Sequence, residues 1–257
     1  MTTTNAQETL LTSRRVLVTG GARGLSYAFA RALLAANAKV VISDGLHERG
    51  AALAKELGND VLYVPMDLAD AGAIQAGVDA AAAHLGRLDG LINNAAITNS
   101  GGKDMGELTV DIRDRVMSVN VLGIWLATVA AQPHLAASGT GRVVNLASDT
   151  ALWGAPNLLA YVASKGAVIA MTRSMAREPG PWASQSMQWR PACCWWKLPN
   201  TCRKRATTIT AKAAPSNARS CLKTSRLQRS FCCAAQVAIS PVKCCPSTAA
   251  LSCIIRK

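Results

Sequence analysis

The first residues suited to chemistry form a glycine-rich turn near the start of the chain. A β-branched run at 15–19 leads directly into Thr19-Gly20-Gly21-Ala22-Arg23-Gly24-Leu25-Ser26, and a helix is predicted to follow. Such a turn offers backbone N–H groups and the positive end of a helix to an anion, so it suits a pyrophosphate. Many glycine-rich turns are only tight connections, and both interpretations stay open for the turn alone.

Asp44, at the end of the second predicted strand, favours the nucleotide interpretation. A carboxylate in this place accepts hydrogen bonds from both hydroxyls of an adenosine ribose and repels a 2′-phosphate. Asp44 therefore favours NAD over NADP as the cofactor. An Asp before a helix such as residues 47–57 is also an ordinary N-cap. Its distance along the chain from the glycine turn favours the ribose role.

Four further groups of residues occur in a characteristic order. They are Asn93-Asn94-Ala95-Ala96 after the fourth predicted strand, Asn120 within a helix, Ser148 after the fifth strand, and Tyr161-Val162-Ala163-Ser164-Lys165 on another helix. Singly, a Tyr and Lys on a helix or a Ser after a strand are common. Together with the glycine turn they make residues 14–177 resemble the short-chain dehydrogenase/reductase family.

The resemblance implies hydride transfer between NAD and an alcohol or carbonyl. In the family, the equivalent of Tyr161 gives or takes the proton of the substrate hydroxyl. Lys165 is implied to bind the nicotinamide ribose, Ser148 to orient the substrate oxygen, and Asn120 to help hold a water that relays protons to solvent. These four residues are the predicted catalytic set, and Tyr161 and Lys165 are also predicted cofactor contacts.

The spacing of Tyr161 and Lys165 has a physical reason. Residues four apart lie on the same face of a helix, about one turn from each other. A free tyrosine has a pKa of about 10 and is a poor base at neutral pH, but a nearby ammonium or an oxidised nicotinamide favours its phenolate form. We therefore expect Lys165 to adjust the acidity of the tyrosine.

The resemblance also implies further cofactor contacts. They are Gly20, Ala22, Arg23, Gly24 and Leu25 in the turn, Asp67 and Leu68 after the third strand, and Asn94, Ala95 and Ala96 after the fourth. A helix N-cap at Asp67 or Asp70 explains the acid after the third strand equally well. The turn departs from the family at Ser26, where a third glycine is usual. A side chain there, where helix and strand approach closely, is expected to weaken cofactor binding.

Positioning these residues requires strands that alternate with helices. Predicted strands are short β-branched runs at 15–19, 39–43, 61–64, 89–92 and 142–147. Predicted helices are Ala/Leu-rich runs at 24–36, 47–57, 70–85, 110–136 and 158–177. Five strand–helix units indicate an α/β fold with a Rossmann-like, doubly wound parallel sheet.

The chain changes composition near residue 180. Of 28 Lys and Arg residues, 15 lie in 1–180 with all 15 acidic residues, and the other 13 lie in 181–257 with none. All nine cysteines lie at 193–253, six of them as adjacent pairs, and the tail has no CxxC spacing and no His. We divide the chain into an NAD-binding domain, 1–180, and a basic, irregular or disordered tail, 181–257. A metal or nucleic-acid module is the alternative for the tail.

A frameshift explains the tail better than an evolved module does. An alternative frame permits N-A-V-A-P-G over 186–192 and a segment similar to the family's last strand over 239–253. We hypothesise a change of frame near 177–180, natural or from a sequencing error. No evolved nucleic-acid partner is then expected, little or no turnover is expected from the 257-residue chain, and an inactive NAD-binding remnant is an alternative function.

The remaining expectations concern context. The first 15 residues lack the apolar core of a secretory signal, and no stretch has the roughly 20 apolar residues that span a bilayer, so a cytoplasmic protein without a membrane partner is expected. Trp153, Leu158 and Leu159 near the predicted site indicate an apolar small-molecule alcohol or carbonyl. The resemblance implies a homodimer or homotetramer, once the family's C-terminus is restored, through the helices around Asn120 and Tyr161.

Overall fold

Strands and helices alternate along the chain as the sequence predicts. The computed structural model describes residues 11–22, 24–58, 60–98, 101–178 and, as backbone, 187–191. The strands are β1 Arg15–Thr19, β2 Lys39–Asp44, β3 Val61–Pro65, β4 Gly90–Asn93, β5 Arg142–Ala147 and β6 Met187–Pro191. The helices are α1 Leu25–Ala35, α2 His47–Leu57, α3 Ala71–Leu85, α4 Val110–Met117, α5 Gly123–Ala137, α6 Thr150–Trp153 and α7 Leu159–Met175.

The strands form one parallel sheet in the order β3-β2-β1-β4-β5-β6. The predicted Rossmann-like α/β fold is therefore confirmed for the first five strands, in the order 3-2-1-4-5. Strands β2 and β3 are added on one side of β1, and the chain then crosses to the other side, where β4 pairs with β1. In sheets of this kind ligands bind in the crevice beyond the carboxyl ends of the two strands at the crossing. The fold thus directs the search for a site to the residues that follow β1 and β4.

Alternate residues of each central strand enter different cores. Leu17 of β1 and Val41 of β2 pack with α3 and α5 on one face of the sheet. Val18 and Ile42, the next residues along the same two strands, pack with α1 and α2 on the other face. A sheet covered on both faces explains why its strands are nearly continuous runs of Val, Leu and Ile.

Local signals set the ends of α3 and α4. Asp70 accepts a hydrogen bond from the N–H of Ala73 and caps α3, while Gly86 ends this helix in the left-handed conformation with φ 74°. The Thr109 side chain accepts a hydrogen bond from the N–H of Ile112 and caps α4. The acid that caps α3 is therefore Asp70, and Asp67 is left for another role.

The long helix predicted over 110–136 is not uniform. A π-helical turn, Ser118–Leu122, separates α4 from α5. By length and composition alone, the run Val110–Ala137 is apolar enough to cross a membrane, although the sequence analysis expected no such stretch. Half of this apolar stretch is buried in the fold, and a core helix of a water-soluble protein can be equally long and apolar.

The segment after α7 carries one feature that the sequence analysis did not predict. β6 pairs in parallel with β5, with Val143 opposite Met187 and Ala147 opposite Pro191. These five residues are the only part of the predicted irregular tail that the structure describes. The rest of the predicted tail, 181–186 and 192–257, lies outside the described residues, as do all nine cysteines.

Candidate active site

The glycine turn lies in the crevice between the ends of β1 and β4. Gly20 and Gly24 have φ of +71° and +70°, a conformation that side chains disfavour. A Cβ on Gly20 would lie 2.5 Å from Ala95 Cα, so the backbone after β4 packs directly on the turn. The sequence-predicted contacts Gly20, Gly24 and Leu25 are thus gathered at one edge of the sheet with Ala95. Arg23 lies outside the described residues.

Asp44 is brought to the same turn. Its Oδ2 accepts a hydrogen bond from the N–H of Ala22 at 3.0 Å, and its Oδ1 accepts one from the N–H of Leu46 at 2.9 Å. An ionised carboxylate has about four acceptor positions, so capacity remains for ribose hydroxyls. Asp44 does not cap α2, because the N-cap residue of that helix is Leu46.

Tyr63 supports Asp44 from the neighbouring strand β3. Its hydroxyl donates a hydrogen bond to the Asp44 carbonyl oxygen at 2.7 Å. Burial, together with the negative charge of Asp44, raises the pKa of Tyr63. The hydroxyl therefore stays protonated at neutral pH and keeps its role as a donor.

The two residues predicted to contact adenine have different surroundings. Asp67 is half exposed, and its Oδ1 accepts a hydrogen bond from the N–H of Ala69 at 2.9 Å. Leu68 is buried in the core beneath α3 and α5. Only Asp67 presents its side chain to solvent near the end of β2, so for Leu68 the predicted contact would have to come from its backbone.

The residues after β4 link the turn to the centre of the sheet. The Asn94 side-chain nitrogen donates to the Thr19 carbonyl oxygen at 3.0 Å, and the backbone N–H groups of Asn94 and Ala95 donate to Thr19 Oγ1 at 3.2 and 3.3 Å. Ala96 packs in the small apolar cluster that contains Tyr161. The predicted contacts Asn94, Ala95 and Ala96 therefore lie between the glycine turn and the predicted catalytic tyrosine.

Tyr161 and Lys165 share one face of α7, as their spacing predicts. Lys165 Nζ lies 5.9 Å from the centre of the Tyr161 ring. The lysine is only 2% exposed, and its Nζ donates a hydrogen bond to the carbonyl oxygen of Leu146 at 2.5 Å. A buried ammonium needs such partners, and this one is held at the end of β5 beside the tyrosine.

Ser148 follows β5, two residues beyond the carbonyl that holds Lys165. It is buried, and its Oγ accepts a hydrogen bond from the Thr150 hydroxyl at 2.7 Å. Because Thr150 donates to Ser148, the serine keeps its own proton for another acceptor. Thr150 is a site residue that was not predicted, and its only signal in the sequence is a hydroxyl two residues after the candidate serine.

Asn120 lies in the π-helical turn and joins two parts of the site. Its Oδ1 accepts from the N–H of Ile97 at 2.8 Å, and its Nδ2 donates to the Ile97 carbonyl at 3.0 Å and to Ser164 Oγ at 3.0 Å. Ser164 in turn donates to the Tyr161 carbonyl oxygen at 2.7 Å. Inserted π turns are frequent at functional sites. This one turns Asn120 toward α7.

The arrangement has two halves that suit a dinucleotide and an alcohol. One half offers backbone N–H groups at the start of α1, with a carboxylate beside the turn. The other half offers a phenol, an ammonium and a hydroxyl within the adjacent crevice. Among the described residues, no group of three or more His, Cys, Asp or Glu side chains is placed to hold a metal ion. The donors around the glycine turn fit a nicotinamide dinucleotide.

Known proteins are similar to this chain in sequence and in fold. Residues 14–193 match the short chain dehydrogenase family, a match that extends beyond 177 and includes β6. The 3-alpha-(or 20-beta)-hydroxysteroid dehydrogenase of Mycobacterium tuberculosis is 37% identical over 171 residues, which are 66% of this chain and 65% of that protein. The 2-(R)-hydroxypropyl-CoM dehydrogenase of Xanthobacter autotrophicus is 38% identical over 64% of this chain and 68% of its own. The chain thus spans about two thirds of these relatives' length.

Two solved structures have the same fold. A 3-ketoacyl-(acyl-carrier-protein) reductase from Brucella melitensis, complexed with NADH, superimposes with a TM-score of 0.67 and 30% identity over 71% of this chain and 76% of its own. An NAD+-bound xylitol dehydrogenase gives 0.68 and 24% over 80% of this chain and 79% of its own. At the lower identity, the second likeness concerns the fold alone.

Proposed function

Because this chain belongs to the short-chain dehydrogenase family, we propose that its site is built to transfer hydride between NAD(H) and a secondary alcohol or carbonyl, with Tyr161 as the general acid and base. We further propose that turnover requires the family's C-terminal segment, which the alternative frame restores. The proposal depends on one observation above the others. A buried ammonium, Lys165 Nζ, is held by the carbonyl of Leu146 at 5.9 Å from the Tyr161 ring centre, next to the crevice of the glycine turn.

The residues around the turn would hold the cofactor. The N–H groups at the start of α1 suit the pyrophosphate, and Asp44 suits the adenosine ribose while repelling a 2′-phosphate. When bound, NAD supplies the hydride acceptor and NADH the hydride donor. The NADH in the Brucella reductase structure supports the choice of NAD, which remains our proposal for this chain.

The proton steps fall to the residues of α7 and β5. In oxidation, Tyr161 Oη accepts the proton of the substrate hydroxyl, and in reduction it returns that proton to the carbonyl oxygen. The Lys165 ammonium favours the phenolate by its charge. The Ser148 hydroxyl, which accepts a hydrogen bond from Thr150, donates a hydrogen bond to the substrate oxygen and so orients it, and it keeps its proton. Asn120 would contribute to a water-mediated exit for the proton.

The substrate is proposed to be an apolar small molecule. Tyr161 packs with Ala155 and Leu158, and Trp153 covers the same cluster. Leu159 is more than half exposed beside it. A polar substrate would gain little binding free energy from this apolar lining. A substrate with an apolar face next to its reacting hydroxyl would bury that face against the cluster.

We further propose that the active form, with the family's C-terminus restored, is a homodimer or a homotetramer. Leu122, Trp125 and Val129 are spaced as one face of a helix, and each is between 43% and 48% exposed. An apolar stripe on a helix that otherwise packs in the core indicates a protein contact. A second copy of the chain is the occupant that the family resemblance implies.

The tail favours a second candidate, an NAD-binding protein without turnover. Residues 181–257 hold 13 basic and no acidic residues and all nine cysteines, which an out-of-frame segment explains. The family match ends at residue 193, a short distance into this tail. Loss of the family's later elements would leave the nicotinamide end of the crevice without cover.

The experiment compares the 257-residue chain with a variant repaired to the alternative frame after residue 177. NADH absorbance is followed with a panel of secondary alcohols, and NAD-dependent thermal stabilisation is measured in parallel. We expect stabilisation in both chains and turnover in the repaired chain only. Turnover by the 257-residue chain would contradict the inactive, NAD-binding remnant. Absence of NAD binding in both chains would contradict the proposed function.

The third alternative, nucleic-acid binding by the tail, has its own measurement. An affinity of the 257-residue chain for DNA that falls steeply with salt would support it.

A further inference from the structure

Ser26 occupies the turn where the sequence analysis expects a side chain to weaken cofactor binding. It is the second residue of α1 and is 0% exposed, so it lies wholly inside the contact between helix and strand. A buried hydroxyl without partners would be costly. The structure gives this hydroxyl partners on both sides of the crevice.

The Ser26 hydroxyl links the glycine turn to the segment after β4. Its Oγ donates a hydrogen bond to the carbonyl oxygen of Gly20. It also accepts one from the Asn94 side-chain nitrogen at 2.7 Å. Asn94 directs the same nitrogen at the carbonyl oxygens of Thr19 and Gly20, at 3.0 and 3.4 Å, so its two N–H groups are committed to protein acceptors.

These bonds fix one particular peptide group. The carbonyl of Gly20 and the N–H of Gly21 belong to the same planar unit. Ser26 and Asn94 hold its oxygen, and the carbonyl of Ser43 in β2 accepts its N–H at 2.8 Å. Gly20 has φ +71°, in a region where glycine moves easily, so an unheld peptide here would sample other orientations.

We propose that Ser26 is a positioning residue for the pyrophosphate of the cofactor. Its hydroxyl fixes the orientation of the Gly20–Gly21 peptide by a hydrogen bond. The turn then keeps the conformation that directs the N–H groups at the start of α1 toward the ligand. This inference rests on the proposed NAD-binding function. It reverses the expectation from sequence, because the extra side chain strengthens cofactor binding instead of obstructing it.

The test uses the full 257-residue chain and two substitutions, Ser26→Ala and Ser26→Gly. Isothermal titration measures the dissociation constants of NADH, of ADP-ribose, which has the pyrophosphate, and of adenosine, which lacks it. We expect both variants to bind NADH and ADP-ribose about three- to tenfold more weakly, the effect of one hydrogen bond, and adenosine as before. Ser174→Ala, the same change on the exposed side of α7, should leave all three constants unchanged.

The other outcomes would contradict either the proposed role of Ser26 or the proposed NAD-binding function. Tighter NADH binding by Ser26→Gly would overturn the inference in favour of a steric obstruction. Equal losses of affinity for adenosine and ADP-ribose would show that Ser26 only stabilises the fold. A lowered melting temperature with unchanged affinity for all three ligands would show the same. If the unsubstituted chain bound neither NADH nor ADP-ribose, the proposed function itself would fail, which separates that failure from failure of the role of Ser26.

Discussion

The backbone N–H of Ala22 donates a hydrogen bond to Asp44 Oδ2 at 3.0 Å, although 22 residues separate the two along the chain. The bond joins the glycine turn after β1 to the end of β2. It makes the carboxylate part of the turn, so the groups proposed for pyrophosphate and ribose are held in one rigid unit.

Asp44→Asn tests this unit. We expect the affinity for NADH to fall about 10- to 100-fold, because hydrogen bonds to a charged carboxylate are lost, and the preference for NADH over NADPH to shrink. Fluorescence titration with both nucleotides measures the change. Asp79→Asn, on the exposed face of α3, is the control and should bind both nucleotides as the unsubstituted chain does. If the ratio of the NADH and NADPH affinities were unchanged in Asp44→Asn, the ribose role of Asp44 would be contradicted.

Lys165→Met separates function from stability. Replacing this lysine by an apolar side chain of similar length removes the cost of burying a charge but takes a donor from the Leu146 carbonyl, so we expect the free energy of unfolding to change by less than about 2 kcal/mol. Turnover by the frame-repaired chain should fall at least about 100-fold. Urea denaturation and NADH absorbance give the two values. Lys55→Met on the surface of α2 is the control, and retained turnover would exclude Lys165 from the mechanism.

Gly20→Ala tests the close approach of the turn and the β4 segment. The new Cβ would meet Ala95 Cα at 2.5 Å in a backbone with φ +71°, so we expect a loss of about 2–4 kcal/mol in unfolding free energy together with loss of NADH binding. Gly166→Ala in α7 meets nothing within 4 Å, and it should stabilise the helix by up to about 1 kcal/mol. Equal stability of the two variants would contradict the packing.

Asp79 provides a pH-dependent test of the contact between α3 and α5. Hydrogen bonds from Gln75 and His134 hold the pKa of Asp79 below its usual value. A carboxyl with a lowered folded-state pKa contributes stability above its unfolded pKa and loses it as the pH falls through the folded value. Asp79→Asn should therefore cost a few tenths of a kcal/mol at pH 7 and less at pH 3, since exposed pairs are screened. Urea midpoints at both pH values check this sign.

The sequence predicted most of the fold because its elements are encoded locally. All five predicted strands agree with the observed ones within about a residue, since each is a β-branched run bounded by turn residues. β6 and the π-helical turn were missed for different reasons. The run 187–191, Met-Gln-Trp-Arg-Pro, alternates apolar and polar residues over only four positions before a proline, which is too short a signal to predict a strand. The turn around Asn120 is an insertion within an otherwise helical sequence.

The residue types and their spacing along the chain already determined the proposed chemistry. A tyrosine and a lysine four apart on a helix must share a face, and a glycine turn before a helix must present its N–H groups. These are local consequences of backbone geometry. These two local arrangements do not depend on how the helices and strands pack together.

Only the tertiary structure decided which distant groups meet. Hydrogen bonds between Lys165 and Leu146 and between Ser26 and Asn94 depend on how strands and helices pack. The surroundings of Ser26, on which our proposal for this residue rests, are the clearest case. From sequence it is extra volume in a tight contact, but packing supplies its hydroxyl with a donor and an acceptor, because the ends of β1 and β4 are neighbours in the sheet.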